Sequence, residues 1–178
     1  MSTERSSNVR VERWTTAHPR WVELTSLEGV RDLDLEAKVQ EWHLGTYTLV
    51  ALVDDEIAGV LRFWTQVIGV DEDRPPTLVD DRPAVEAKVV TLHVVDRYRR
   101  RGIGRRLQLG AVAWARELGC YQVRSRSSYA AAGNHAMKTV LGFGISPGRE
   151  RPDGSDPTAF FVLPLRLDPE LVSAVSGS

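Results

Sequence analysis

The order of apolar and polar positions lays out strands and helices in turn. Val9, Val11 and Trp14 mark a short first strand, and the segment Trp21 to Leu27, after Pro19, has helical spacing. Asp32 and Asp34 suit the first turn of a second helix, where carboxylates oppose the positive end of its dipole. Leu35, Val39 and Trp42 fall on one face of that helix, and Gly45 is its expected stop. Tyr47 to Val53 and Ile57 to Ile68 are β-rich runs separated only by Asp54-Asp55-Glu56, which predicts an antiparallel hairpin. From Asp71 to Pro83 the pattern breaks on Pro75, Pro76, Pro83 and a set of acids, which predicts a loop.

Ala87 to Val95 is nearly continuous in Val, Leu and Thr, as in a central strand covered on both faces. Ile103, Leu107, Ala111, Trp114 and Leu118 then recur three or four residues apart, giving one helix with an apolar stripe that closes at Gly119. Tyr121 to Ser125 reads as the next strand. Strand, helix and strand in this order form a βαβ unit with parallel strands and a right-handed crossover. A short helix over Asn134 to Val140 stops at Gly142, Phe143 to Ile145 and Thr158 to Leu165 are β-rich, and Pro147 to Pro157 is a polar loop. The reading is a mixed α/β fold: one domain over 9–168, with flexible ends at 1–8 and 169–178.

Composition narrows the function classes. A chain of 178 residues is long enough to bury roughly 70% of its unfolded surface without a metal or disulfide. Its net charge of −1 gives the whole molecule no long-range pull on nucleic acid or an anionic membrane, so any anion site must be local. The single cysteine, Cys120, excludes an internal disulfide, and no Cys and His cluster has zinc-ligand spacing. No signal-like segment opens the chain and no run of 18 apolar residues occurs, so the expected setting is a reducing cytoplasm.

The candidate chemistry lies where the central strand meets its helix, at Val94-Val95-Asp96-Arg97-Tyr98-Arg99-Arg100-Arg101-Gly102-Ile103-Gly104-Arg105-Arg106. Gly102 and Gly104 leave the backbone bare where it turns, so consecutive N–H groups can converge on an anion at a helix N-terminus. The arginines concentrated there suit a pyrophosphate. The bland alternative is a tight turn beside a solvated arginine face. A dinucleotide fingerprint needs a small residue where Leu107 stands, and a Walker loop needs Gly-Lys-Ser/Thr; neither is present.

On these residues the chain resembles the GCN5-related N-acetyltransferase (GNAT) family. Arg99-Arg100-Arg101-Gly102-Ile103-Gly104 matches the family signature R/Q-x-x-G-x-G/A, and Leu92-His93-Val94 matches its central strand. Leu49 to Ala51 with Ile57 to Gly59 is similar to its early hairpin, and Asn134 to Phe143 to its late helix ending in Gly-Phe. The resemblance implies a central mixed sheet, flanked by helices, whose parallel fourth and fifth strands, here Ala87 to Val95 and Tyr121 to Ser125, splay to admit acetyl-CoA. It further implies pantetheine contacts at Leu92, His93 and Val94, pyrophosphate on the amides from Arg100 to Arg105, and a cofactor contact at Asn134.

The implied reaction is direct transfer of acetyl from the CoA thioester to a primary amine of a small molecule or protein, without a metal. An amine must lose a proton before attack and the CoA thiolate must gain one. Glu86, at the start of the fourth strand, is the candidate base, with an exposed strand-end carboxylate as the alternative. The family's usual acid position is occupied by Lys138 rather than tyrosine; the lysine either donates the proton or faces solvent. Tyr129 is the substitute acid. Trp42, Phe63 and Trp64 are candidates for the acceptor wall or for core, core being favoured for Trp42, and the acids at 71–73 and 80–81 for attraction of a cationic amine or simple solvation. Three other readings stay open: an acyltransferase for another acyl-CoA, a CoA-binding regulatory module without turnover, and a nucleic-acid patch at Arg97 to Arg106. Acetyl-CoA and an amine are the expected partners, with no nucleic acid or membrane; a homodimer is left open.

Overall fold

The computed structural model describes residues 8–27, 30, 40–148 and 158–166. The expected helix beginning at Asp32, most of the 147–157 loop and the chain ends lie outside them. The architecture is mixed α/β, with mostly antiparallel strands and one parallel pair. It divides into two compact units, residues 1–65 with 89–114 and residues 66–88 with 115–178.

In the first unit, β1 (Val9–Trp14) pairs antiparallel with β2 (His43–Val53), from Val9 opposite Val53 to Trp14 opposite Thr48. β2 turns into β3 (Glu56–Val67) through Asp54 and Asp55, both at positive φ, the backbone of a two-residue hairpin turn. Five successive buried residues, Leu49 to Val53, show that β2 is covered on both faces. Trp14, Leu24, Val50, Leu52, Ile57 and Val60 form one core with Trp21 of α1 (Trp21–Thr25). Elsewhere Tyr47 stacks on Phe63 and both meet the edge of Trp114, which belongs to α2 (Ile103–Glu117). The later part of β6 (Val85–Val94) completes this unit, with the Val95 N–H donating to Ala58 O at 2.9 Å.

Two expectations here are corrected. Gly45 stops no helix, because it already lies within β2. Trp42 is not core: it sits in the turn before β2 and is 44% exposed, since the helical period that placed it inward has ended there.

In the second unit, β9 (Thr158–Pro164) lies between β7 (Gln122–Ser128) and β8 (Gly144–Pro147), antiparallel to both. The Tyr121 N–H donates to Val85 O at 2.6 Å, so β6 and β7 start side by side. The segment expected as a plain loop holds a 3₁₀ turn at Val70–Glu72 and a small hairpin of β4 (Leu78–Val79) and β5 (Arg82–Pro83). α3 (Ala132–Val140) ends as expected at Gly142, whose φ of +89° suits glycine. There the Phe143 N–H bonds Lys138 O and the Gly142 N–H bonds Thr139 O, satisfying two orphan carbonyls while Phe143 is buried.

Candidate active site

The turn after β6 is built so that its amides and guanidinium groups stay available. A 3₁₀ turn at Asp96–Tyr98 buries Tyr98, whose hydroxyl donates to Glu56, and Arg97 bonds the same carboxylate at 2.8 Å. The Tyr98 hydrogen bond, then Arg97, holds the Glu56 carboxyl below its ordinary range. Arg99 is tied back to Val94 O at 3.2 Å and to Asp96 at 2.8 Å. Arg100 and Gly102 both take positive φ, +64° and +75°, and a Cβ on Gly102 would meet nothing within 4 Å, so conformation rather than space calls for glycine.

α2 begins at Ile103, and its first hydrogen bond into the helix runs from the Arg106 N–H to Gly102 O. The N–H groups of residues 103 to 105 therefore have no partner within the helix. No acid occupies the first turn; Arg105 and Arg106 do, against the dipole. Among the described residues Arg100, Arg101, Arg105 and Arg106, all exposed, have no carboxylate partner. Unpaired cations around unpaired amides at a helix N-terminus are what a bound pyrophosphate would complete.

The second unit carries a different arrangement on the two faces of β7. On one face lies Arg124, with its side chain 11% exposed. Its guanidinium bonds Glu86 at 2.6 Å and Asp71 at 2.7 Å, and Lys88 bonds Asp71 as well. Glu86, completely buried, also accepts from Gln66 at 3.0 Å and Gln122 at 2.8 Å. Burial alone would raise the Asp71 carboxyl, but Lys88 and Arg124 outweigh it and hold it below its ordinary value. Burial likewise opposes the charge on Arg124, but Glu86 and Asp71 raise its pKa above the usual arginine value.

On the alternate face, Ser125 accepts a 2.6 Å bond from Lys138 of α3, and Ser127 accepts one at 3.0 Å from Asn134 Nδ2. Lys138 is 1% exposed and lies over the Phe161 ring at 4.8 Å, and among the described residues it has no carboxylate partner. Burial pushes its amine down to about 8. Cys120 is inert by the same physics, since burial and then the Glu86 charge push its thiol up to about 11.

A family model, Acetyltransferase (GNAT) family, matches residues 11–143. The chain belongs to the GNAT acetyltransferase family. No curated protein sequence matches it. Solved structures share the GNAT fold at low identity. Arabidopsis thaliana NAA60 in complex with acetyl-CoA superposes with a TM-score of 0.64 at 14% identity, over 89% of this chain and 99% of that one. The ribosomal-protein-S18-alanine N-acetyltransferase of Escherichia coli gives 0.61 at 18%, over 92% and 97%. A Bacillus subtilis acetyltransferase in complex with CoA gives 0.60 at 17%, over 89% and 100%.

Within the GNAT frame the sequence-named residues fall into two groups. Leu92, His93 and Val94 are half-buried at the end of β6 and lead into the turn that carries Arg99 to Arg105. Asn134 and Lys138 share one face of α3. Tyr129, in the turn before α3, is 49% exposed. Glu86, the candidate base, is not the exposed strand-end carboxylate of the alternative reading: four N–H donors, from Gln66, Gln122 and Arg124, take up its oxygens, which have about four lone-pair sites in all. Lys138 does not face solvent, and Asp71 is not a solvated loop acid, because Arg124 draws it inward. Phe63 is core, and Trp64 is half-buried against His43 at 4.0 Å.

Arg124, Ser125 and Gln108 were not singled out from sequence. β-strand alternation separates Arg124 from Ser125, and Gln108 sits three and seven residues before Ala111 and Ala115, on a buried side of α2.

Proposed function

We propose that this chain is an N-acetyltransferase that takes acetyl from acetyl-CoA and delivers it to a primary amine of a small molecule or a protein. The observation that carries this reading is the turn at Arg99 to Gly104, where the amides of residues 103 to 105 have no partner within the helix and, among the described residues, Arg100, Arg101, Arg105 and Arg106 have no carboxylate partner. Acetyl-CoA and CoA in the A. thaliana and B. subtilis structures support the donor, and the alanine named for the E. coli enzyme supports an amine acceptor.

Acetyl-CoA would supply the thioester, and the residues of this chain bind it and move protons. Residues 100–105 would hold the pyrophosphate through backbone N–H groups, with Arg105 and Arg106 reaching outer oxygens. Glu86 is committed to Arg124 and has no lone pair open to an amine, so it orders the strands rather than serving as base. For the departing thiolate the matched group is Lys138: an ammonium with pKa about 8 can protonate a thiolate of ordinary basicity, near 8.5, and recover its own proton near neutral pH.

The saturated Glu86 also favours a second reading, an acyl-CoA-binding module without turnover. One experiment addresses both. Isothermal titration should show saturable acetyl-CoA binding by the wild type, and Gly104→Asp should weaken it roughly a hundredfold by setting a carboxylate against phosphate. Unchanged affinity in the folded variant would exclude the turn as the site. Release of CoA with a panel of amines supports transfer, whereas binding without release on any amine supports the module.

A further inference from the structure

A cavity of about 700 Å³ lies within the second unit, lined by the β4–β5 hairpin, the start of β6, and Gly119, Tyr121 and Arg166. It shares no residue with the turn at 99–106. Backbone hydrogen bonds fix its wall: the Ala84 N–H donates to Thr77 O at 2.8 Å, and the Tyr121 N–H to Val85 O at 2.6 Å. Arg166 is held as well, because its guanidinium donates to Gly119 O at 3.0 Å. Small-molecule sites run from about 300 to 1,000 Å³, and this cavity falls in that range.

The charges on its wall are open. Arg82 and Arg166 have no carboxylate partner among the described residues, and Asp80 has no cation there. The bond to Gly119 closes the end of α2 but uses only one of the five N–H donors of Arg166. Two guanidinium groups against one carboxylate leave the wall with a single positive charge in excess. That excess matches one carboxylate, which a guanidinium fork receives in bidentate fashion. Val79, Pro83, Val85 and Tyr121 add apolar surface, which an inorganic anion would leave uncovered.

We infer that this cavity binds a small organic monocarboxylate, with the carboxylate held by Arg82 and Arg166 and the apolar body against Val79, Pro83 and Val85. It is a second ligand site on the chain, and it stands or falls independently of the acetyl-CoA reading.

Four probes added to the whole protein test it, followed by the NMR shifts of its backbone amides: benzoate, hexanoate, benzyl alcohol and inorganic phosphate. Benzoate or hexanoate should shift the amides of Val79, Val85, Gly119 and Tyr121 saturably, and benzyl alcohol and phosphate should bind there about tenfold more weakly or less. Arg82→Gln and Arg166→Gln should each weaken the carboxylate about tenfold. Asp80→Asn removes the opposing charge and should tighten it about threefold. Asparagine tolerates the left-handed φ of +51° at that position, and a gain in affinity cannot come from a damaged fold. The inference is overturned by the absence of a saturable shift with either carboxylate. Equal binding of benzyl alcohol, which would mark a merely apolar groove, or of phosphate, which would mark a merely basic patch, overturns it too. So does an Asp80→Asn variant that binds the carboxylate no better than the wild type.

Discussion

The turn at residues 96–106 and the cluster around Arg124 are both rich in charge, yet they treat it in opposite ways. Around Arg124 every oxygen of Glu86 and Asp71 has a cationic or amide donor, and the guanidinium is nearly enclosed. In the turn, Arg97 and Arg99 have carboxylate partners while Arg100, Arg101, Arg105 and Arg106 have none among the described residues. Charge that is paired and buried serves the fold, because removing one partner strands the other out of water. Charge left open beside unpaired backbone donors contributes nothing to the fold and is available to a ligand. Composition alone cannot separate the two.

The contrast is broken most forcefully at Arg124. Arg124→Ala would leave Glu86 and Asp71 facing each other with only Lys88 and two amides to offset them. A loss of about 3 to 5 kcal/mol in urea unfolding is expected. A loss below about 1 kcal/mol would mean that the cluster is solvated and that its resemblance to a clamp is superficial.

Lys138 tests the same logic with a buried charge that has no carboxylate partner among the described residues. Its amine falls from an ordinary 10.5 to about 8, so the unfolded chain binds the extra proton between those values and stability rises with pH across that window. Below about 8 the lysine is charged in both states and the penalty is complete, up to about 3 kcal/mol. Lys138→Met should therefore stabilise the protein at pH 7 and flatten the rise between pH 8 and 10.5. The net gain should be nearer 1 to 2 kcal/mol, since Ser125 loses its partner. Denaturant melts of both proteins at pH 7 and 10 read this directly; a variant that keeps the pH slope would assign it elsewhere. If CoA release also slows while acetyl-CoA affinity holds, the lysine is retained for proton transfer at a cost to stability.

Much of the frame was legible because it rests on local periodicity. The β-rich apolar runs of β2, β3 and β6 and the three- or four-residue spacing of α2 each report surface that must be buried. The turn at residues 99–104 was legible for the same reason, its glycines and arginines being adjacent in sequence. The clamp was not. Arg124 finds Glu86 38 positions away and Asp71 53 positions away, and nothing local to a Pro-rich acidic segment tells a buried aspartate from a solvated one. The solvent-facing alternatives for Glu86 and Lys138 came from the ordinary preference of their residue types, which a distant partner or a nearby ring overrides.

The smallest expected effect sharpens the contrast most, because stability and binding should move in opposite directions. Arg105 is exposed in the first turn of α2, where its positive charge opposes the helix dipole and no carboxylate among the described residues offsets it. Arg105→Glu reverses that charge. If the turn were only a solvated arginine face, the variant would gain about 0.5 kcal/mol of stability and nothing else would change. If the open charge is kept for phosphate, the same small gain in the unfolding curve should come with weaker acetyl-CoA binding, by about tenfold at low salt. That deficit should shrink as ionic strength rises and screens the new repulsion. A variant that gains stability and keeps its affinity at every salt concentration would place Arg105 with the solvated surface and confine the phosphate grip to backbone amides.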